Sequence, residues 1–428
     1  MRHVLVASVL LLAGCVGGPV ETASLPDLLP ELPALLSEWA SVIDPAGGHG
    51  EPSLGVAPDG TLFVNGDGGR GGGVYRSTDG GVTWERVATP VEPMPNFDPD
   101  LAVDRDGNVW FSALNIACTA TAVSRDHGDS WTSNPAACNT PVSDRQYVIP
   151  TEGGTAYLYS HQLPTFYQMA AKTTDYGQTW IPTAPIEMPD HHVLVNGGTG
   201  WGGGGFWNSA TGSVFFTWTD TREGTASPGF AVTRDEGASW TMGAAAAAGG
   251  QQLGLGLVVG AADEAGNVYL AWGETLDDST AVYFAVSTDD GATWRGPIRV
   301  DDGTGSKVFP AIAAGSPGKV AIAYYEADEP AYPSDVSDEG RWNVTLAWTQ
   351  DALADEPIFV RGTLNPSPVK EGPICINGTT CDGDREFLDY FQVRRLPDGR
   401  VGAVYNSLLD VEDRLVAVYA PTRDAILA

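Results

Sequence analysis

The chain has 428 residues, with 54 acidic against 23 basic side chains and a formal charge of −31. That balance excludes nucleic-acid binding by phosphate neutralisation, which needs clustered Lys and Arg, while 43 % hydrophobic residues and 13 Trp exclude a disordered chain. Gly and Pro (53 and 30 residues) far exceed their usual combined share of about 12 %, which points to a turn-rich, all-β chain whose acidic, Lys-poor surface suits a salty exterior or plain solubility.

The N-terminus reads as an export signal. Arg2 and His3 lead a short apolar run from Val4 to Leu12, too short to span a bilayer, and no later segment reaches 18 apolar residues. Leu12-Ala13-Gly14-Cys15 resembles a lipoprotein signal box, whose Cys is lipidated and becomes the mature N-terminus; ordinary secretion is the alternative. The expected organisation is a signal over 1–14, a lipidated Cys15 with a Pro-rich tether over 15–40, and a single β domain over 41–428. The expected location is extracytoplasmic, anchored to the cell envelope. The other four cysteines form two close pairs, Cys118 with Cys138 and Cys375 with Cys381, as disulfides do in an oxidising compartment.

Two repeats then run along the chain. A strand ends in a turn Gly and is followed by another strand at Gly60, Gly107, Gly153, Gly212, Gly266, Gly318 and Gly399, which reads as seven hairpins. Interleaved with them is [S/T]-x-D-x-G-x-[S/T]-W. It starts at Ser77, Ser124, Thr173, Thr233 and Ser287, at steps of 47, 49, 60 and 54 residues. Its Asp positions are Asp79, Asp126, Asp175, Asp235 and Asp289, and its Trp positions are Trp84, Trp131, Trp180, Trp240 and Trp294. The Asp accepts N–H bonds within its own turn, the Gly supplies a positive φ, and the Trp packs back on the sheet. Such spacing is that of propeller blades, each a four-stranded sheet. Decayed boxes at Thr349-Gln-Asp351 and Thr422-Arg-Asp424 belong to a sixth and a seventh blade. The last blade lacks a fourth strand, so residues near Trp39–Asp44 are expected to supply it and close the ring.

The five boxes identify the Asp-box (BNR) repeat, and the chain resembles the sialidase-like family of Asp-box propellers. The expected fold is therefore an all-β propeller of four-stranded antiparallel blades. Seven blades follow from the turn count, with the six-bladed sialidase arrangement as the alternative. An insertion is expected over 327–340 and 365–384.

Antiparallel strands alternate in direction, so the hairpin turns and the Asp-boxes share one face and the starts of the first strands lie on the other. Box Asp and Trp residues are then structural. Counting nine back from each turn Gly places Glu51, Asp98, Asp144, Gly203, Leu257, Phe309 and Tyr390 on the opposite, funnel face, near Asp100 and Asp389. The loops after second strands add Asp67, Asn115, His161, Asp220, Arg222, Glu274, Glu326, Tyr405 and Asn406. This acidic rim can cap strands, hold a cation such as Ca²⁺, or divide acid and base roles in glycoside cleavage. Asp382 and Asp384, in the Cys375–Cys381 region, are further cation candidates, and His192 and Trp201 flank or sit in a Gly-rich loop that can cover the funnel.

The resemblance implies three Arg for a substrate carboxylate, a Tyr nucleophile paired with a Glu, and an Asp acid/base. Matching residue types are Arg145, Arg222 and Arg385, Tyr390 or Tyr405, Glu274 or Glu326, and Asp98 or Asp144. The family's Arg-Ile-Pro motif before the first box is absent. Three functions stay open: a binding propeller for a glycan, protein or cation; an exo-glycosidase; and an assembly scaffold. A monomer is expected.

Overall fold

The computed structural model describes residues 34–48, 50–67, 73–87, 97–115, 118–137, 143–162, 168–186, 202–220, 227–246, 257–376, 381–387, 389–411 and 414–428. Seven antiparallel sheets stand in a ring. Their innermost strands are Gly50–Val56, Phe97–Val103, Ser143–Pro150, Gly202–Asn208, Val259–Ala262, Lys307–Ala314 and Gln392–Arg395, numbered here as blades 1 to 7. The seven-bladed propeller read from the turn count is the fold.

Each blade contributes β-branched and aromatic residues to the cores between neighbours. Phe63 of blade 1, for example, packs with Leu101, Val109 and Phe111 of blade 2, and all four are fully buried. Burial of each such side chain stabilises by about 1.5–3 kcal/mol.

The ring closes as expected. Ser41 and Val42 pair antiparallel with Tyr419 and Val418 as the outer strand of blade 7. Trp84 of the first box donates Nε1 to Ser41 Oγ at 3.0 Å, and its ring meets Tyr419 edge-on at 5.6 Å. The same segment also reaches blade 6, where Ala34 and Leu35 pair parallel with Gly362 and Thr363. The insertion falls in two places. Residues 327–340 link the second and third strands of blade 6, and Lys370–Glu371 adds a short strand against Arg341 and Trp342.

The Asp-boxes are turn clamps. Asp126 accepts from Ser130 N at 2.8 Å, Ser124 Oγ at 2.8 Å and Ser130 Oγ at 2.5 Å. Those bonds to the ionised form, led by the Ser130 hydroxyl, bring its pKa down to about 2. Asp79, Asp175, Asp235 and Asp289 take the matching hydroxyls of Thr83, Thr179, Ser239 and Thr293 at 2.6, 2.7, 2.6 and 2.6 Å. Hairpin turns and boxes do share a face: Asn208 of the blade 4 turn donates to Asp290 beside the blade 5 box at 2.9 Å.

The box tryptophans are structural: they pack back on their own sheets, as Trp240 does on Phe216 of blade 4 at 4.9 Å and Trp180 on Leu158 and Ala171 of blade 3, and they reach the preceding blade as well. Trp131, Trp180, Trp240 and Trp294 are only half-buried, and each leans on the preceding blade. Trp131 of blade 2 packs against the core that holds Phe63 and Val87 of blade 1, and its Nε1 donates to Gly128 O of its own box at 3.1 Å. Trp180 of blade 3 donates to Thr121 Oγ1 of blade 2 at 3.1 Å. Trp240 of blade 4 donates to Ala184 O, just past the outer strand of blade 3, at 3.1 Å. Trp294 of blade 5 meets the Phe230 ring of blade 4 at 5.3 Å and donates to Gly291 O of its own box at 3.2 Å. These side chains are joints between blades.

At the other end of the inner strands the register breaks. Blades 1, 2, 3, 4 and 6 carry a bulge in the first strand, with a left-handed residue at each: Glu51, Asp98, Arg145, Gly204 and Phe309. A non-glycine residue held there costs about 1–3 kcal/mol, and such strain concentrates at functional positions. In blade 3 the residue is Arg145, not Asp144. Thr151 N bonds Thr155 O as Ala57 N bonds Thr61 O in blade 1, so Gly154, the second of two glycines, is the counterpart of Gly60. Counting from Gly153 was one residue short.

Candidate functional site

The bulges bring strand starts from three blades to one point on the funnel face. Arg145 lies at the centre. Its Nη2 sits 3.5 Å from Glu51 Oε1 and is ion-paired with Asp389 Oδ2, which also takes Arg385 Nη2 at 2.7 Å. Glu51, Arg145 and Asp389 are each 6 % exposed or less. Beside them Asp144 Oδ1 caps the Arg145 backbone N–H at 2.9 Å, and its Oδ2 lies 3.6 Å from His161 Nε2. Gln146 reaches back to the Asp98 carbonyl. Below, Tyr390 donates to the Pro99 carbonyl at 3.1 Å, and its ring meets Tyr147 at 6.1 Å.

Electrostatics hold Asp144 and Arg145 ionised. Burial alone would raise Asp144, but the hydrogen bond and charge of His161, with help from Asp98 and Arg145, hold its carboxyl well below the usual range. Desolvation opposes the Arg145 charge, and Glu51 foremost among its neighbours more than restores it, so the guanidinium is raised. Burial pushes the Tyr147 and Tyr390 phenols up, so both are neutral at physiological pH. Asp389 Oδ1 and Arg385 Nε find no hydrogen-bond partner among the described residues.

Beneath the two tyrosines a second network crosses the channel. Asp100 Oδ1 accepts from Ser53 of blade 1 at 3.1 Å and from Gln392 of blade 7 at 3.3 Å; Oδ2 accepts from Val148 N of blade 3 at 2.9 Å. Gln392 Oε1 in turn takes Leu54 N at 3.0 Å and Arg394 Nη2 at 2.8 Å. Desolvation raises Asp100 and lowers Arg394, each partly offset by the other's charge. Around this network is a cavity of about 430 Å³.

The remaining candidates lie elsewhere. Glu274 accepts from Trp272 Nε1 at 2.8 Å. Glu326 takes the Thr345 hydroxyl at 2.7 Å and lies 3.7 Å from Lys307 and 3.3 Å from Arg361; burial raises its pKa against those partners. Tyr405 is fully buried in the core of blades 6 and 7, with its phenol pushed up by burial. At the funnel the carboxylate acting most on the phenols is Glu51, whose charge adds to burial in raising Tyr147 and Tyr390. Asp220 is buried at the end of its strand. Arg222, His192, Trp201, Cys138 and Cys15 lie outside the described residues, as do the side chains of Asp67 and Asn115. Cys375 and Cys381 are bonded to each other, and Cys118 is disulfide-bonded. Asp382 and Asp384 are exposed, and among the described residues no three His, Cys, Asp or Glu side chains gather as a metal site. At the funnel the reason is visible, since the Arg145 guanidinium occupies the place a cation would take between the carboxylates. Sequence reasoning missed Lys307, fully buried 3.6 Å from Asp301 and 3.7 Å from Glu326. The acidic doublet Asp301-Asp302 before the blade 6 strand was its one signal.

With five boxes clamping turns on seven blades, the repeat and the ring agree. The chain is an Asp-box β-propeller. The BNR/Asp-box repeat family is matched by residues 75–86, and no curated protein matches the sequence. Among solved structures this propeller is similar to a GH74 enzyme of Niastella koreensis, at 14 % identity and TM-score 0.52 over 86 % of this chain and 52 % of that one. It is also similar to an ulvan lyase of family PL25 bound to -[GlcA(1-4)Rha3S]-, at 13 % identity and TM-score 0.50 over 87 % and 93 %. An intramolecular trans-sialidase from Ruminococcus gnavus aligns over 92 % and 99 % at 14 % identity and TM-score 0.47. Identities this low speak to the fold alone. Among the described residues no helix is long and apolar enough to cross a membrane.

Proposed function

We propose that this propeller is an extracytoplasmic, lipid-anchored glycan-binding module that holds its ligand on the funnel face without cleaving it. One observation carries the reading: Arg145 is ion-paired with the chain's own Glu51 and Asp389 in a buried cluster. A glycosidase of the sialidase type needs those groups turned toward substrate, a phenol made nucleophilic by a neighbouring base, and a carboxyl poised to give up a proton. Here the Tyr390 phenol donates to a backbone carbonyl and is held neutral by burial. Asp144, in turn, is held ionised by His161. A glycan as ligand rests on fold analogy with the GH74 enzyme and the ulvan lyase, and the lipid anchor rests on the Leu12–Cys15 box. A glycan array probed with the exported protein tests the ligand class. Selective retention on a related set of glycans, weakened by substitution of Arg385 at the rim of the cluster, supports the reading. Absence of retention on every glycan defeats it.

A further inference from the structure

We propose that the central channel is a binding pocket for a small organic monocarboxylate, held by Arg394. The cavity runs along the inner strands. Its walls reach the last residues of those strands all round the ring, from Val56 in blade 1 through Ala262 in blade 5 to Arg395 in blade 7. Toward the funnel it includes Tyr147, Gly203, Gly204, Leu257 and Tyr390, with the Arg145 cluster packed beside Tyr390.

The ligand class follows from Arg394. Arg394 lines the cavity and is half-buried. Of its five N–H donors, Nη1 gives one to the Val393 carbonyl and Nη2 one to Gln392; the remaining donors meet no protein acceptor in the described contacts. A planar fork left open in a desolvated cavity matches a carboxylate, which it can hold through two parallel bonds. Asp100 stands in the same cavity, so a dianion such as phosphate meets repulsion that a monoanion largely escapes. The remaining walls mix apolar side chains, Leu54, Ala102, Ile312 and Phe391 among them, with polar ones such as Gln392 and Arg395, and about 430 Å³ suits a compact body. The pocket and the funnel-face reading are independent, and either can fail without the other.

Benzoate is the probe, with benzamide as its neutral counterpart, titrated calorimetrically into the full chain. Benzoate is expected to bind about tenfold or more tightly than benzamide, and Arg394→Gln to weaken benzoate by a similar factor, with Arg394→Lys between the two. Crystals grown with 4-bromobenzoate give a readout that needs no variant: the bromine anomalous peak is expected inside the channel. Equal affinity for benzoate and benzamide, benzoate binding untouched by Arg394→Gln, no binding at about 10 mM, or a bromine peak only outside the channel each overturns the proposal. Should Arg394→Gln fail to fold, the benzamide comparison and the bromine position decide.

Discussion

Replacing Arg145 with Met keeps most of the stem's packing and removes the charge it shares with Glu51 and Asp389. The perturbation leaves Glu51, about 1 % exposed, without the Arg145 guanidinium, and Asp389 with Arg385 alone. Breaking a buried pair by removing one partner costs about 3–5 kcal/mol. The left-handed backbone at position 145 is common to both proteins and cancels. The pH dependence gives the argument its sign. In the native protein Asp144 is depressed below its unfolded value, so its contribution is present above about pH 4 and is lost only as pH falls through the folded value; between about pH 5 and 7 it is flat. In Arg145→Met, burial without that cation pushes the Glu51 carboxyl above its unfolded value, while Asp389 keeps Arg385. The Glu51 contribution is then present below about pH 4 and lost as pH rises through the new folded pKa. The deficit of the variant is therefore largest near neutral pH and shrinks on acidification to about pH 5. Urea unfolding followed by Trp fluorescence at about pH 5, 6 and 7 reads both numbers. A deficit below about 1 kcal/mol at neutral pH, or one that does not change with pH, would refute the buried-cluster account.

Two further perturbations address the frame. Asp126→Ala removes an acceptor of three hydrogen bonds within its box and is expected to cost about 1 kcal/mol; because the native pKa is about 2, the difference from wild type should fade as pH drops from about 4 toward that value, as acid unfolding would show. Deleting the chain through Val42 removes the strand paired with Tyr419 and Val418 and the Ser41 acceptor of Trp84, exposing a raw sheet edge; a lower Tm and concentration-dependent light scattering are expected, and an unchanged Tm would contradict ring closure by this segment.

Much of the frame was legible because it is written locally. Each box closes within eight residues, so Ser77 to Trp84 suffices to read one, and the turn glycines count the blades. What the box cannot say is what its Trp meets on the preceding blade, because the Thr121 acceptor of Trp180 lies 59 residues away. The closing strand was legible by subtraction, since blade 7 ends at Pro421 one strand short. The hub was only half legible. Acids at strand starts could be counted, but the double glycine Gly153-Gly154 hides that Gly154 is the turn glycine of blade 3, so the count lands on Asp144 while Arg145 holds the bulge. Cross-channel partners such as Asp100 with Gln392 are 292 residues apart and leave no trace in spacing.

The central claim is that the funnel-face charges are spent on one another and not on a substrate. Turnover of a panel of fluorogenic glycosides, sialosides included, by the purified chain tests it most directly. The account predicts no release above the buffer rate for any member of the panel. Hydrolysis that disappears in Tyr390→Phe or Asp144→Asn while the fold is retained would contradict it.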